Sequence, residues 1–170
     1  MKSWGRPETS LRRAEVADCD VLSDIHAATF RRGWSGAEFE ALLLQPGVHA
    51  LIAQYRNTFG WRTPAGFILY RIVADEAEIL SVAVVQECRR RGIARQLLEE
   101  ALRHVYREGA RTIHLEVEDS NTAAIRLYRA MEFRESGKRP GYYAQGRATP
   151  GGAIAMMRQL RQAASSGEAS

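Results

Sequence analysis

Residues 76–117 read EAEILSVAVVQECRRRGIARQLLEEALRHVYREGARTIHLEV, and the fold is decided there. Glu76 to Val85 is a strand-like run, entered from the Ala74-Asp75 turn. Arg91 to Arg107 sets Ile93, Leu97, Leu98, Ala101, Leu102 and Val105 on one stripe, which predicts an amphipathic helix. Gly109 suits the C′ position that ends it. Thr112 to Val117 is a second, short apolar strand. A strand, a helix and a strand joined this way form a crossover, expected to be parallel and right-handed.

Outward from this unit the signals are local. Val48 to Tyr55 and Ala65 to Ile72 read as strands either side of RNTFGWRTP, so with Glu76 to Val85 they form an antiparallel meander. Asp18 to Phe30 has helical apolar spacing. Ser35 and Glu38 form a capping box, and Trp34 and Phe39 occupy its two staple positions, so a short helix runs to about Leu44 before Pro46-Gly47. Asn121 to Met131 predicts another helix. Phe133 to Gly137 and Gly152 to Leu160 predict closing strands. The expected class is α+β, a mixed sheet with helices on both faces. Residues 11–160 form one domain; residues 1–10 and 161–170 read as flexible ends.

Composition excludes several classes. The chain has 170 residues, 45% hydrophobic and 26% charged, as ordinary globular domains do. No apolar run approaches the roughly 20 residues of a membrane span, and Met1 to Ser10 has no apolar signal core. Cys19 and Cys88 are too few for a disulfide framework. His26, His49, His104 and His114 have no ligand spacing, so no metal is expected. The reading is a cytoplasmic domain. Its formal net charge of +4 suits an anionic ligand.

Arg89-Arg90-Arg91-Gly92-Ile93-Ala94 stands where the strand hands over to the long helix. A helix N-terminus presents unpaired N–H groups and a positive dipole end, and arginines add charge-assisted bonds to phosphate. The stretch lacks GxxxxGK[ST] and GxGxxG, so it is neither a Walker loop nor a dinucleotide fingerprint. It reads as a pyrophosphate site or as a solvated basic turn. Glu116 lies in a strand expected to be central and buried, where a carboxylate needs a purpose or a partner; the alternative is a strand-end carboxylate paired with an arginine. Glu118 shares its face. Asn121 and Tyr128 are seven apart and share a helix face; by themselves they read as an N-cap and a core aromatic.

The strand ILSVAVV, the turn RRRGIA and the helix after it resemble the acetyl-CoA-binding core of the GNAT N-acetyltransferases, whose signature Q/R-x-x-G-x-G/A is matched by Arg89, Gly92 and Ala94. LEVEDSNTAAIRLY (residues 115–128) is similar to a stretch of the bacterial ribosomal-protein-alanine N-acetyltransferases, as are Gly33-Trp34-Ser35 and Arg139-Pro140-Gly141-Tyr142-Tyr143. The resemblance implies that Val82, Ala83 and Val84 bind the pantetheine arm of acetyl-CoA as cosubstrate. It implies that Arg89, Arg90, Arg91, Gly92, Ile93, Ala94 and Arg95 hold its phosphates and that Asn121 also bonds it. Glu116 would be the general base and Tyr128 the general acid. Trp34, Tyr142 and Tyr143 would border the acceptor, a protein N-terminus and specifically an alanine of a ribosomal protein; no membrane or nucleic-acid contact is implied. The chain departs from these relatives at Val85-Gln86, where they have Asp-Pro, and at Met131-Glu132-Phe133, where a Gly stands at the helix end. Glu132 is therefore expected either in a left-handed conformation or at a helix end of a different kind.

Two other readings stay open. One keeps the fold and acetylates a small amine or a lysine side chain, with Glu118 and Asp119 forming an acidic pocket. The other is a non-catalytic CoA- or RNA-binding module, for which three arginines in one turn are few.

Overall fold

The computed structural model describes residues 8–139, 143–144, 147–148 and 151–160. Strands β1 (Glu8–Arg13), β2 (Val48–Arg56), β3 (Arg62–Val73), β4 (Glu76–Val84), β5 (Thr112–Glu118), β6 (Arg134–Arg139) and β9 (Ala153–Gln159) make one sheet, in the order β1-β2-β3-β4-β5-β9-β6. Every neighbouring pair is antiparallel except β4 and β5, which are parallel as the crossover requires. Helices α1 (Cys19–Thr29), α2 (Gly36–Leu43), α3 (Ile93–Arg107) and α4 (Thr122–Ala130) complete the frame. Among the described residues no helix is long and apolar enough to cross a membrane.

The sheet separates two cores because its side chains alternate faces. Ile68 and Tyr70 of β3 join Leu97, Leu98 and Val105 of α3 and Ile125 of α4. Phe67 and Leu69, on the other face, join Leu22 and Ile25 of α1 and Phe39 of α2. Helices therefore cover both faces, as expected.

Local signals act as read. Ser35 Oγ accepts the Glu38 N–H at 3.2 Å, and Glu38 Oε2 accepts the Ser35 N–H at 2.8 Å. The Trp34 and Phe39 rings meet at 5.5 Å. After α3, the Gly109 and Ala110 N–H groups bond back to Tyr106 and Val105 at 3.1 and 3.2 Å, a Schellman ending with Gly109 at φ 84°.

The same motif ends α4 without a glycine. The Glu132 and Phe133 N–H groups bond to Arg129 and Tyr128 carbonyls, both at 3.0 Å, and Glu132 sits at φ 67°. A left-handed conformation costs a residue with a Cβ roughly 1–2 kcal/mol. Its exposed ion pair with Arg158 (2.9 Å) returns no more than about 1 kcal/mol. Glu132→Gly is expected to stabilise the fold by roughly 0.5–1 kcal/mol, a rise of a few degrees in melting temperature by calorimetry.

Three elements correct the sequence reading. Glu8–Arg13, partly assigned to a flexible end, is an edge strand paired from Glu8↔Arg56 to Arg13↔Leu51. Its sequence ETSLRR carries one large apolar residue, so it has no alternation to detect. Tyr143–Ala144 (β7) pairs with Arg147–Ala148 (β8), a short hairpin between the two closing strands, where the sequence suggested only a loop after Pro140-Gly141. Residues 1–7 and 161–170, read as flexible, lie outside the described residues.

Candidate active site

The parallel pairing of β4 and β5 runs only from Glu76↔Thr112 to Ile79↔Leu115. At that point β4 is bulged: Ile79 faces Tyr70 and Ser81 faces Leu69, leaving Leu80 as the extra residue. A bulge bends its strand. Beyond it β4 continues to Val84 against β3, and β5 continues to Glu118 against β9. The two strands thus splay, and each turns one backbone edge into the wedge. On β4 the Val82 N–H and C=O and the Val84 N–H face that edge, whereas Ala83, placed there by the resemblance, turns its backbone groups to Phe67 of β3. Such N–H and C=O groups call for a guest that carries amides of its own.

The N-terminus of α3 stands just beyond the end of β4. Its cap is Gly92 at φ 74°, without a side-chain capping bond, and the first intrahelical donor is the Gln96 N–H, to Gly92 at 3.0 Å. The N–H groups of Ile93, Ala94 and Arg95 precede that bond and are free to meet an anion. A Cβ on Gly92 would meet no atom within 4 Å. The glycine is therefore required by its backbone angle, and its open side admits a ligand. Ile93 buries its side chain in the core, at 1% exposure, so only its amide faces the turn.

The arginines of the turn divide. Arg89 Nε donates to the Val84 carbonyl at 3.2 Å, tying the turn to the strand end. Arg91 donates to Tyr55 Oη at 2.5 Å and lies over the same ring, 4.6 Å from its centroid. Arg95 faces Glu99 at 3.7 Å. Arg90, at φ 60°, has no ion-pair partner among the described residues. Tyr55 was not singled out in the sequence; its contact with Arg91 joins residues 36 apart, and no local pattern announces it.

On β5, Leu115 and Val117 enter the core beneath α3 and α4, so Glu116 and Glu118 turn to the other face. Glu116 is exposed, which corrects the expectation of a buried carboxylate. The cause is the splay: β4 has left β5 at that level, and α1 and α2 pack on β2, β3 and β4. Glu118 is also exposed, and its carbonyl accepts the Asn121 N–H at 3.0 Å.

Tyr128 lies on α4, in the apolar cluster that holds Leu115 and Val117. Its ring meets Phe133 edge-on at 5.8 Å and is 8% exposed. Burial pushes its phenol up to about 12, so it keeps its proton throughout the neutral range. The splayed sheet therefore carries a carboxylate on one face and a protonated phenol on the other. Asn121 caps α4, its Oδ1 accepting the Ala124 N–H at 3.1 Å.

The remaining residues sit further out. Trp34 is half-buried against His26, with ring centroids 4.6 Å apart, and its backbone N–H donates to His26 Nδ1 at 3.0 Å. Burial lowers the pKa of His26, which keeps that nitrogen an acceptor. Tyr143 belongs to β7; Tyr142 lies outside the described residues. Among the described residues no group of three or more His, Cys, Asp or Glu is placed to hold a metal.

Comparison with known proteins agrees with this geometry. A 79-residue stretch is 39% identical to the [ribosomal protein bS18]-alanine N-acetyltransferase of Escherichia coli strain K12, covering 46% of this chain and 53% of that one. The match to the Salmonella typhimurium protein of the same name is 42% identical over 84 residues, 48% of this chain and 57% of the relative. The chain thus spans little more than half the length of these relatives. An N-alpha-acetyltransferase of Saccharolobus solfataricus is 31% identical over 158 residues, 85% of this chain and 91% of its own. The crystal structure of the ribosomal-protein-S18-alanine N-acetyltransferase from Escherichia coli superposes with a TM-score of 0.79 at 26% identity, covering 95% and 99%. The sequence model described as the acetyltransferase (GNAT) family matches residues 19–133, and with that match over more than half its length the chain belongs to this family.

Proposed function

We propose that this protein transfers an acetyl group from acetyl-CoA to the α-amine of a protein N-terminus, and that its acceptor is the N-terminal alanine of a ribosomal protein, in the cytoplasm. The observation that carries the reading is the wedge between β4 and β5, with Glu116 and Tyr128 on opposite faces of the sheet and the uncapped start of α3 beside it. The names of the relatives support the acceptor class.

Acetyl-CoA supplies an activated thioester. The edge at Val82 and Val84 would bond its amide-bearing arm, with Ala83 between them tied to β3. The N–H groups of residues 93–95, with Arg90 and the positive end of α3, would hold its pyrophosphate. An amine attacks only when neutral. An α-amine has a pKa of about 7.7–8.0 against roughly 10.4 for lysine, so an N-terminus loses its proton more easily by over two units. Glu116, open to solvent, takes that proton directly or through one water. Tyr128, held protonated by burial, donates to the departing thiolate. The transfer is direct and needs no nucleophile from the protein.

Arg91 tests the cofactor half of this reading. Tyr55 holds it by a hydrogen bond and by its ring face, fixing the direction from which it meets a phosphate. Tyr55→Ala is expected to raise the KM for acetyl-CoA roughly fivefold at unchanged kcat, with Tyr55→Phe in between; steady-state kinetics read both. An unchanged KM in both variants would remove Arg91 from the phosphate site.

The acceptor half is tested by initial rates on an alanine-initiated peptide, a polyamine and an aminoglycoside. The reading expects turnover on the peptide alone. Turnover on the small amines alone would favour a small-molecule acetyltransferase, with Glu118 and Asp119 as the acids that attract the acceptor.

A further inference from the structure

The face of the sheet that carries α3 holds a cavity of about 440 Å³ at the β1 edge, away from the wedge. Leu11 of β1, Leu51 of β2 and Tyr70 of β3 give it an apolar floor; Arg13 and, from α3, His104 and Arg107 border it. The volume is that of small-ligand sites.

Its charges are unbalanced. Arg12 is neutralised by Asp18 through bonds of 2.7 and 2.8 Å, and Glu100 by Arg103 at 2.7 and 3.0 Å. Arg13 and Arg107 have no carboxylate partner among the described residues. Arg13 Nη2 meets only the His49 ring nitrogen, at 2.9 Å. Burial holds the pKa of His49 down, so the ring stays neutral and leaves the charge of Arg13 uncompensated. The buried Tyr70 hydroxyl is committed to His104 Nδ1 at 2.8 Å, and His104 Nε2 faces the Glu108 carboxylate at 3.6 Å. The C-terminal end of α3 contributes about half a negative charge and Glu108 one more, together still less than the two guanidinium charges.

We propose that this cavity is a binding site for a small organic carboxylate, its anionic end on Arg13 and Arg107 and its apolar body over Leu11 and Leu51. Guanidinium pairs suit a planar carboxylate, and the floor requires an apolar body that a bare anion lacks. Ile93 and Arg107 are opposite ends of α3, roughly 20 Å apart at 1.5 Å per residue, so the site is separate from the proposed acetyl-CoA turn. It stands whether or not the acetyl-transfer reading does.

Phenylacetate is the probe, titrated into the full chain and followed by amide chemical shifts. Binding is expected with a dissociation constant on the order of 1 mM, the range for a ligand of this size. Shifts are expected at residues 11, 51 and 104, and none at 90–95. Arg13→Gln and Arg107→Gln are each expected to weaken it roughly tenfold, with Arg129→Gln as a neutral control. Acetate, inorganic phosphate and phenethylamine are expected to bind much more weakly. Three results would each overturn the proposal. One is no shift around the cavity up to about 10 mM, tenfold above that constant. Another is equal binding of phosphate or phenethylamine. The third is indifference to both arginine variants.

Discussion

Glu116→Gln is expected to lower kcat by about 10²–10⁴-fold, the usual worth of a positioned proton acceptor. Glutamine has nearly the same shape and cannot take the proton. Glu116 is exposed, so stability should stay within about 0.5 kcal/mol of the parent. Affinity for acetyl-CoA should also hold, because the proposed contacts are backbone groups of β4 and the α3 turn and the Arg90 and Arg91 side chains, none of them on β5. The loss should shrink as pH rises above the α-amine range of about 7.7–8.0, where the acceptor arrives already neutral. Glu118→Gln, two residues on along the same face, should cost far less. Steady-state rates across pH, with acetyl-CoA binding measured in parallel, decide it. Full turnover by Glu116→Gln would remove Glu116 from the chemistry; a large loss in Glu118→Gln instead would move the role along the strand.

Tyr128→Phe is expected to lower kcat by roughly 10–100-fold, at the lower end for a proton donor because water can partly replace a phenol. The ring that packs on Phe133 stays, so the fold should survive. The variant also has a stability signature. Burial raises the phenols of Tyr128 and Tyr70 to about 12, against about 10 in an unfolded chain. The folded state thus binds more protons in that window. The associated stability is fully present below pH 10 and is lost as pH rises from about 10 to 12. Two units correspond to at most about 2–3 kcal/mol per tyrosine. Tyr128→Phe should therefore lose less stability than the parent between those pH values, read by denaturant unfolding. Unaltered kcat would make Tyr128 a packing residue; an unaltered alkaline slope would mean its phenol is not the buried group that titrates.

Much of this architecture was legible because its signals are local. The stripe from Ile93 to Val105, the Ser35–Glu38 box and the Trp34–Phe39 staple each lie within a few turns of chain, and the structure reproduces them. Glu132 was legible in part: the sequence left a positive φ or a different helix ending, and the structure shows the positive φ. What escaped depends on distant partners. ETSLRR becomes a strand only because β2 offers an edge. The exposure of Glu116 follows from a bulge at Leu80, some 36 residues earlier, that parts two strands a sequence pattern shows only as adjacent. The grip of Tyr55 on Arg91 likewise needs the third dimension. The turn at Arg89–Arg95 was legible as a basic helix start, but not which of its arginines the protein itself engages.

The central claim is that the acetyl group goes to an α-amine. The most direct measurement incubates the protein and acetyl-CoA with an equimolar mixture of two peptides, followed by fragmentation mass spectrometry. One peptide begins with a free alanine; the other has a blocked N-terminus and an internal lysine. The account predicts a single acetyl group, on the alanine α-nitrogen only. Acetyl on the lysine, or on neither peptide while acetyl-CoA is bound, would contradict it.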